Sequence, residues 1–293
     1  MTQFLSDKIN ERVLTNSLRE LKFNEDHLID FSSNDYLGFA HSNLLKTKLI
    51  EELSIHKNYT LGSTGSRLIS GNTQYIEELE SCIAKYHQAE TGLIFNSGYD
   101  SNIGLLSYIA NRNDTYICDE LIHASLIDGV RLSKANKFTF KHNNLLSLEE
   151  KLRLAKGNIF VITESVFSMD GVVAPLDKIC DLADKYDAMV MVDECHAAGF
   201  IGATGKGTLE AKGVMGRVDI ITGTLGKALG GAMGGYTTAK KEIIEILRQR
   251  SRPYLFSNSL APSIVGASLK VFELLEKDTT LRDKLEWNTN YFK

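Results

Sequence analysis

The stretch IITGTLGKALGGAMGGY, residues Ile220–Tyr236, joins a β-branched segment to a glycine-rich turn. The β-branched residues Val218–Thr222 predict a buried strand. Lys227 follows on a turn whose glycines let the backbone approach a ligand closely, and Thr224 lies just before it. A lysine beside hydroxyl and amide donors suits a Schiff base with an aldehyde cofactor that carries a phosphate. From this stretch alone, a solvated lysine on an ordinary loop is an equal alternative.

The bulk composition is that of a globular protein. The chain has 293 residues, of which 43% are hydrophobic and 24% charged, and its net charge is −4. No basic run stands out and no apolar run is long enough to span a membrane, so nucleic acid and membranes are not expected partners. The four cysteines show no CxxC spacing, so we expect free thiols, no metal site and a cytoplasmic location.

Predicted strands and helices alternate along the chain. Helical periodicity predicts helices at Met1–Leu21, Thr73–His87, Ile103–Ala110, Leu146–Ala155 and Leu176–Tyr186, and short apolar runs predict strands at Leu28–Phe31, Gly92–Phe95, Thr115–Cys118, Lys137–Lys141, Asn158–Thr163 and Ala188–Val192. This alternation predicts an α/β fold with a doubly wound, largely parallel sheet flanked by helices.

Polar residues follow several of these strands. The turn Ser97–Tyr99 connects a strand to a helix, where free amide groups and the helix dipole can bind an anion, although a plain turn is the alternative. His123 and Ser168 follow two further strands. Asp193 ends a buried strand, which is costly unless the carboxylate has a partner, and His196 lies three residues later. Because ligands of such folds bind at the carboxyl ends of the strands, these residues are expected to converge.

Pyridoxal phosphate (PLP) needs the groups that this set provides. Lys227 would hold the cofactor, Asp193 would keep its pyridine nitrogen protonated and His123 would lie against its ring. The glycine-rich segment Leu61–Gly71 is only a weak phosphate-loop candidate, since it lacks the Walker spacing. A dehydrogenase is disfavoured, because no GxGxxG motif follows a first strand with an acidic residue at the right distance.

The remaining groups of this set would bind the two polar ends of PLP. The phosphate would be held by Ser97–Tyr99 together with Thr224. Ser168 and His196 are placed to hydrogen-bond the phenolic oxygen of the ring.

Eight motifs covering nearly the whole chain resemble those of the α-oxoamine synthases. These are PLP-dependent enzymes of fold type I, which condense a small amino acid with an acyl-CoA and lose carbon dioxide. The motifs are FSSNDYLG, GSTGSRLISG, FNSGYDSN, HASLIDG, ESVFSMDG, VDECHAAG, TGTLGKALGG and LFSNSLAP.

The resemblance implies roles for individual residues. It makes Lys227 the Schiff-base lysine, which also removes the α-proton of the amino acid. For the other PLP-contacting residues named above, it implies the same contacts as the reasoning from the residues. It further implies that Ser257 and Asn258 reach the phosphate in a neighbouring subunit, because this family's active sites lie at a homodimer interface. Asn34 would approach the carboxylate of the amino acid, and Arg19 the acyl substrate.

Two branches of the family are both represented. Up to about residue 165 the motifs resemble the 8-amino-7-oxononanoate synthases of biotin synthesis, which use alanine and a pimeloyl thioester. The later motifs resemble the glycine C-acetyltransferases, which use glycine and acetyl-CoA, and this second branch is slightly favoured. A non-catalytic subunit is disfavoured because Lys227 is present, and an aminotransferase is disfavoured by the motifs.

The resemblance also predicts the domain organisation. We expect an N-terminal helix and arm at residues 1–45, a large PLP-binding domain at 46–270, and at 271–293 the start of a helix that leads to a small C-terminal domain. From the resemblance we expect that domain, which carries an arginine for the substrate carboxylate in this family, to lie outside the 293 residues. The chain is therefore expected to be a fragment with weak or no turnover.

Overall fold

A computed structural model describes residues 2–23, 27–55, 60–230 and 232–292. The chain divides into two units, Met1–Ser33 and Asn34–Lys293. The first contains helix α1 (Gln3–Leu14), which has no buried residue. It is shorter than predicted, because Asn16 adopts the left-handed conformation with φ of 52°. The predicted strand Leu28–Phe31 is wrong: these residues form no strand, and the Asp30 carboxylate instead accepts from the Ser32 and Ser33 amides at 2.8 and 3.1 Å, as in a turn.

The second unit contains the remaining elements. Its helices are α2 (Asn43–Ile55), α3 (Gln74–Tyr86), α4 (Gly98–Leu106), α5 (Ala124–Leu132), α6 (Leu145–Leu152), α7 (Leu176–Lys185), α8 (Thr208–Ala211), α9 (Lys241–Arg250), α10 (Arg252–Leu255), α11 (Pro262–Lys277) and α12 (Thr280–Phe292). Its strands are β1 (Thr91–Phe95), β2 (Thr115–Asp119), β3 (Asn136–Phe140), β4 (Ile159–Glu164), β5 (Ala188–Asp193), β6 (Ile220–Thr224) and β7 (Gly235–Ala239).

The strands form one sheet with the order β1-β7-β6-β5-β4-β2-β3. Strand β7 pairs antiparallel with both β1 and β6, and the other pairs are parallel. The predicted α/β fold with a mostly parallel, helix-flanked sheet is therefore confirmed. Other elements differ from the prediction: β7, α2, α8, α9 and α10 were not predicted, and α4 begins at Gly98 rather than at Ile103. This earlier start places Asn102 within the helix.

The sheet is covered on both faces. Along β1, Leu93 and Phe95 belong to one hydrophobic cluster and Ile94 to another. Successive side chains of a strand point to opposite faces, so the two clusters lie on opposite sides of the sheet. The central strands are consequently buried, and polar side chains can only reach solvent beyond the ends of these strands.

Candidate active site

The carboxyl ends of β1, β2, β4, β5 and β6 surround a cavity of about 200 Å³. Because β1 is antiparallel to β7, and β7 to β6, β1 runs in the same direction as the parallel strands. The residues that line the cavity are Gly98, Tyr99, Asn102, His123, Ser125, Glu164, Asp193, Cys195, His196, Thr224 and Lys227. The structure thus brings together the predicted lysine, aspartate and two histidines.

Lys227 belongs to a chain of hydrogen bonds. Its Nζ lies 2.6 Å from His196 Nε2, and His196 Nδ1 lies 2.7 Å from the Tyr36 hydroxyl. Burial, with the charge of Lys227 as a smaller cause, lowers the pKa of His196 to about 4, so the ring is neutral at pH 7. An ammonium group can only donate, so His196 Nε2 accepts from Lys227 and Nδ1–H donates to Tyr36. The Tyr36 hydroxyl in turn donates to Asn34 Oδ1 at 3.2 Å.

Asp193 ends β5 at the inner wall of the cavity and is 5% exposed. Its Oδ2 accepts from Asn102 Nδ2 at 2.7 Å, and its Oδ1 accepts from the Cys195 amide at 2.9 Å. Hydrogen bonds of this kind offset the cost of burying a carboxylate and fix its orientation. Asp193 is therefore a preorganised anion that can face a cationic ring nitrogen.

The first turn of α4 lines one corner of the cavity. Ser97 is the N-cap residue, and its side chain accepts from the Asp100 amide at 3.0 Å. The first amides of a helix, here those of Gly98 and Tyr99, have no partner within the helix and are available to a phosphate. A Cβ at Gly235 would lie 2.3 Å from the Ser97 carbonyl oxygen, so only glycine lets β7 pass behind this turn.

Thr224 stabilises the lysine turn on the same side of the cavity. Its hydroxyl donates to the Gly234 carbonyl at 3.0 Å and accepts from the Gly226 amide at 3.2 Å. Gly234 has φ of 134°, a conformation that L side chains rarely adopt. The glycines of this turn thus serve its geometry as well as the approach of a ligand.

Glu164 is a cavity residue that sequence reasoning missed. It ends β4 as Asp193 ends β5, and the two residues pair in register. Burial and the neighbouring Asp193 charge raise the pKa of Glu164 to about 8, so the group carries a proton at pH 7. One of its oxygens accepts from the His123 amide. An acidic residue at the end of a buried strand was the available sequence signal.

The other predicted residues lie elsewhere. Ser168 is exposed and is not among the residues that line the cavity. Ser257 and Asn258 line a separate cleft, in which the Asn258 carbonyl accepts from Asn96 Nδ2 at 3.0 Å. Arg19 belongs to the unit Met1–Ser33. Contacts of these residues with cofactor, substrate or a second subunit stay predictions.

The donor set of the cavity fits PLP. An amine, a buried carboxylate and a helix N-terminus line one pocket, and these match the aldehyde, the pyridine nitrogen and the phosphate of that cofactor. Among the described residues, no group of three or more His, Cys, Asp or Glu side chains could hold a metal ion. No helix in the described part of the chain combines the length and apolarity needed to span a membrane.

Comparisons with known proteins find relatives that match most of this chain. The family model for aminotransferase class I and II matches residues 26–293. The 2-amino-3-ketobutyrate coenzyme A ligase of Escherichia coli K12 is 49% identical over 271 residues, which cover 91% of this chain and 67% of that protein. The human mitochondrial protein of the same name is 44% identical, and 63% of it is covered. The 8-amino-7-oxononanoate synthase of Thermosipho melanesiensis is 42% identical, with 68% covered.

Solved structures give the same result. A serine palmitoyltransferase from S. paucimobilis, solved with PLP and myriocin bound, superimposes with a TM-score of 0.87 at 26% identity, covering 98% of this chain and 75% of that one. An 8-amino-7-oxononanoate synthase from Francisella tularensis gives 0.76 at 29% identity, covering 92% and 75%. The chain spans about two thirds of the length of the curated relatives and about three quarters of these structures.

Proposed function

Since the chain belongs to the aminotransferase class I and II family, and within it to the PLP-dependent α-oxoamine synthases, we propose that it joins glycine to the acetyl group of acetyl-CoA. The product would be 2-amino-3-ketobutyrate, with coenzyme A released. The observation that carries this proposal is the 49% identity to a 2-amino-3-ketobutyrate coenzyme A ligase in a chain whose own cavity holds the lysine, aspartate and both histidines.

The cofactor is PLP, and the cavity residues have defined roles toward it. Lys227 Nζ would bind its aldehyde, Asp193 its pyridine nitrogen and the first turn of α4 its phosphate, with His123 against the ring. When bound, PLP stabilises negative charge at the α-carbon of an amino acid. The hydrogen-bonded Asp193 carboxylate would keep the ring nitrogen protonated, which that stabilisation requires.

Proton transfer falls to Lys227. Its Nζ is the amine within the cavity that can take the α-proton of glycine and later pass it to the departing coenzyme A thiolate. His196 lies 2.6 Å from this Nζ and stays neutral at pH 7, so it accepts from the ammonium form and orients it. The new bond forms between the glycine α-carbon and the acetyl carbonyl carbon, and the carbon–sulfur bond of the thioester breaks.

Residues outside the cavity lining would complete substrate binding. We assign the amino-acid carboxylate to Asn34, which is linked to His196 through the Tyr36 hydroxyl. The acyl substrate is assigned to Arg19. A second copy of the chain would contribute Ser257 and Asn258 to the phosphate, in a homodimer with shared sites. We further propose a cytoplasmic enzyme, since its cysteines are free thiols.

One observation favours a second function. The 42% identity to an 8-amino-7-oxononanoate synthase, with similar coverage, leaves alanine and a pimeloyl thioester as the alternative substrates. Lys227, Asp193 and His123 would have the same roles in removing the α-proton and forming the carbon–carbon bond. The alanine carboxylate would then leave as carbon dioxide and the α-carbon would take up a proton, a step that the glycine reaction does not include. The site would also differ in the space beside the α-carbon, which must admit a methyl group, and in the length of the acyl site.

A substrate matrix tests the proposal. The purified protein is saturated with PLP and given glycine or alanine, each with acetyl-CoA or pimeloyl-CoA, while free coenzyme A thiol is measured and products are identified by mass spectrometry. We expect the fastest release with glycine and acetyl-CoA, and none with Lys227→Ala. The exposed-lysine variant Lys212→Ala is the matched control. Faster turnover of alanine with pimeloyl-CoA would establish the alternative, and thiol release that persists in Lys227→Ala would contradict both.

A further inference from the structure

Asn102 lies between the two groups that face the cofactor ring, and no role in the reaction above uses it. It is on α4 and is 1% exposed. Its Nδ2 donates to Asp193 Oδ2 at 2.7 Å and to Ser125 Oγ at 3.0 Å. Its Oδ1 accepts from the Thr222 hydroxyl at 2.8 Å. All the hydrogen-bonding groups of this amide except one oxygen lone pair therefore have partners within the protein.

The orientation of this amide is determined by its neighbours. If the amide were flipped, its oxygen would face the Asp193 carboxylate, and two acceptors would meet at 2.7 Å without a proton between them. With the NH₂ group toward Asp193, its second proton points to Ser125 Oγ. Because Ser125 accepts this proton, its own hydroxyl proton is free to be donated onward.

Ser125 directs its protons to the ring of His123. The Ser125 amide donates to His123 Nδ1 at 3.2 Å, and Ser125 Oγ lies 2.7 Å from the same nitrogen. A backbone amide can only donate, so Nδ1 is an acceptor and the N–H of the ring is at Nε2. His123 is the N-cap residue of α5, so its ring and the start of the helix are oriented by the same contact.

We propose that Asn102 is a positioning residue that couples Asp193 to His123. Through one side-chain amide it orients the carboxylate that faces the ring nitrogen, and through Ser125 it holds the imidazole in the Nε2–H tautomer. The hydrogen bonds run in one direction, from Thr222 to Asn102, from Asn102 to Asp193 and Ser125, and from Ser125 to His123.

The substitution Asn102→Asp keeps the shape of the side chain but reverses the hydrogen bond between residue 102 and Ser125. In Asn102→Asp the atom facing Asp193 becomes a carboxyl oxygen, and two carboxyl groups at that distance share one proton, which leaves none to donate to Ser125. Ser125 would then donate its hydroxyl proton to the introduced carboxylate and withdraw it from His123. The variant keeps the size of the side chain, so a merely space-filling role for Asn102 predicts no change at His123.

The test uses nitrogen-15 NMR of the imidazole rings in cofactor-free protein at pH 7.5, with the His123 signals assigned from His123→Gln. We expect wild type to show the Nε2–H pattern at His123, and both Asn102→Asp and Ser125→Ala to shift the two ring nitrogens toward a mixture of tautomers. Ser101→Ala is the matched control, because Ser101 is a buried serine of the same helix that bonds to the Tyr236 carbonyl and to Thr237.

Binding of PLP gives a second readout. We expect its dissociation constant to rise at least tenfold in Asn102→Asp, severalfold in Ser125→Ala and less than twofold in Ser101→Ala. Unchanged His123 signals in both network variants would overturn the proposal, even if PLP bound more weakly. If Asn102→Asp does not fold, Ser125→Ala decides alone. The proposal rests on the PLP site of the proposed function but not on its substrates, so a failed substrate assay leaves these spectra informative.

Discussion

His87 should make the protein sensitive to acid. It follows α3, is 2% exposed, and its Nε2 lies 2.8 Å from the Tyr236 hydroxyl. Nδ1 is buried and has no hydrogen-bond partner in the described part of the chain. Burial, with the charge of Lys206 as a smaller cause, lowers the pKa of His87 to about 3. Protonation would leave a charged donor without a partner, which the fold resists.

The magnitude follows from proton linkage. An unfolded histidine titrates near pH 6.5, so between about pH 6.5 and pH 3 the unfolded chain binds a proton at His87 that the native state does not. Stability from this residue is complete above that range and falls as the pH decreases. At pH 5 the gap from the unfolded pKa is about 1.5 units, which corresponds to about 2 kcal/mol of lost unfolding free energy.

His87→Gln isolates this contribution. The glutamine amide can reach the Tyr236 hydroxyl from the position of the ring Nε2 but does not titrate. Both proteins are unfolded in urea at pH 7.5 and pH 5.0. The unfolding free energy of the wild type relative to that of His87→Gln should be about 2 kcal/mol smaller at the lower pH. The exposed His41→Gln variant should show no such change. A difference in unfolding free energy that is the same at both pH values would refute the reasoning.

Two further predictions concern the site and its support. Gly235→Ala puts a Cβ 2.3 Å from the Ser97 carbonyl oxygen, so PLP should bind at least tenfold more weakly in a fluorescence titration. Gly226→Ala is the control, because its Cβ meets only ordinary contacts and should change the affinity for PLP little. Equal effects of the two substitutions would contradict the role of the turn. Burial raises the pKa of Glu194 to about 8, which costs stability increasingly as the pH rises from 4.5 to 8. At pH 5, Glu194→Gln should have a lower unfolding free energy than the wild type, because the hydrogen bond from the Leu209 amide is weakened. In urea unfolding at pH 8 this difference should be smaller or reversed. A difference that is the same at both pH values would contradict the raised pKa of Glu194.

The amino-acid sequence alone was enough to predict the fold class and to predict that the main polar residues of the cavity lie together. The alternation of short apolar runs with helical periods is a local property, and it predicts strands and helices without knowledge of their neighbours. In a parallel sheet the carboxyl ends of the strands share one edge, so placing Asp193, His123 and Lys227 after strands already placed them together. The same reasoning could have included Glu164, which also ends a strand.

Only the tertiary structure decided which side chains contact one another. Strand β7 pairs antiparallel between β1 and β6, and the segment Leu28–Phe31 forms no strand, because strand formation depends on distant residues as much as on local preference. The bonds of Asn102 to Asp193, and of Tyr36 to His196, join residues 91 and 160 positions apart. Periodicity within a segment carries no information about contacts at that separation. The sequence therefore determined the chemistry of the site, and the packing of the chain determined the protons and orientations on which that chemistry depends.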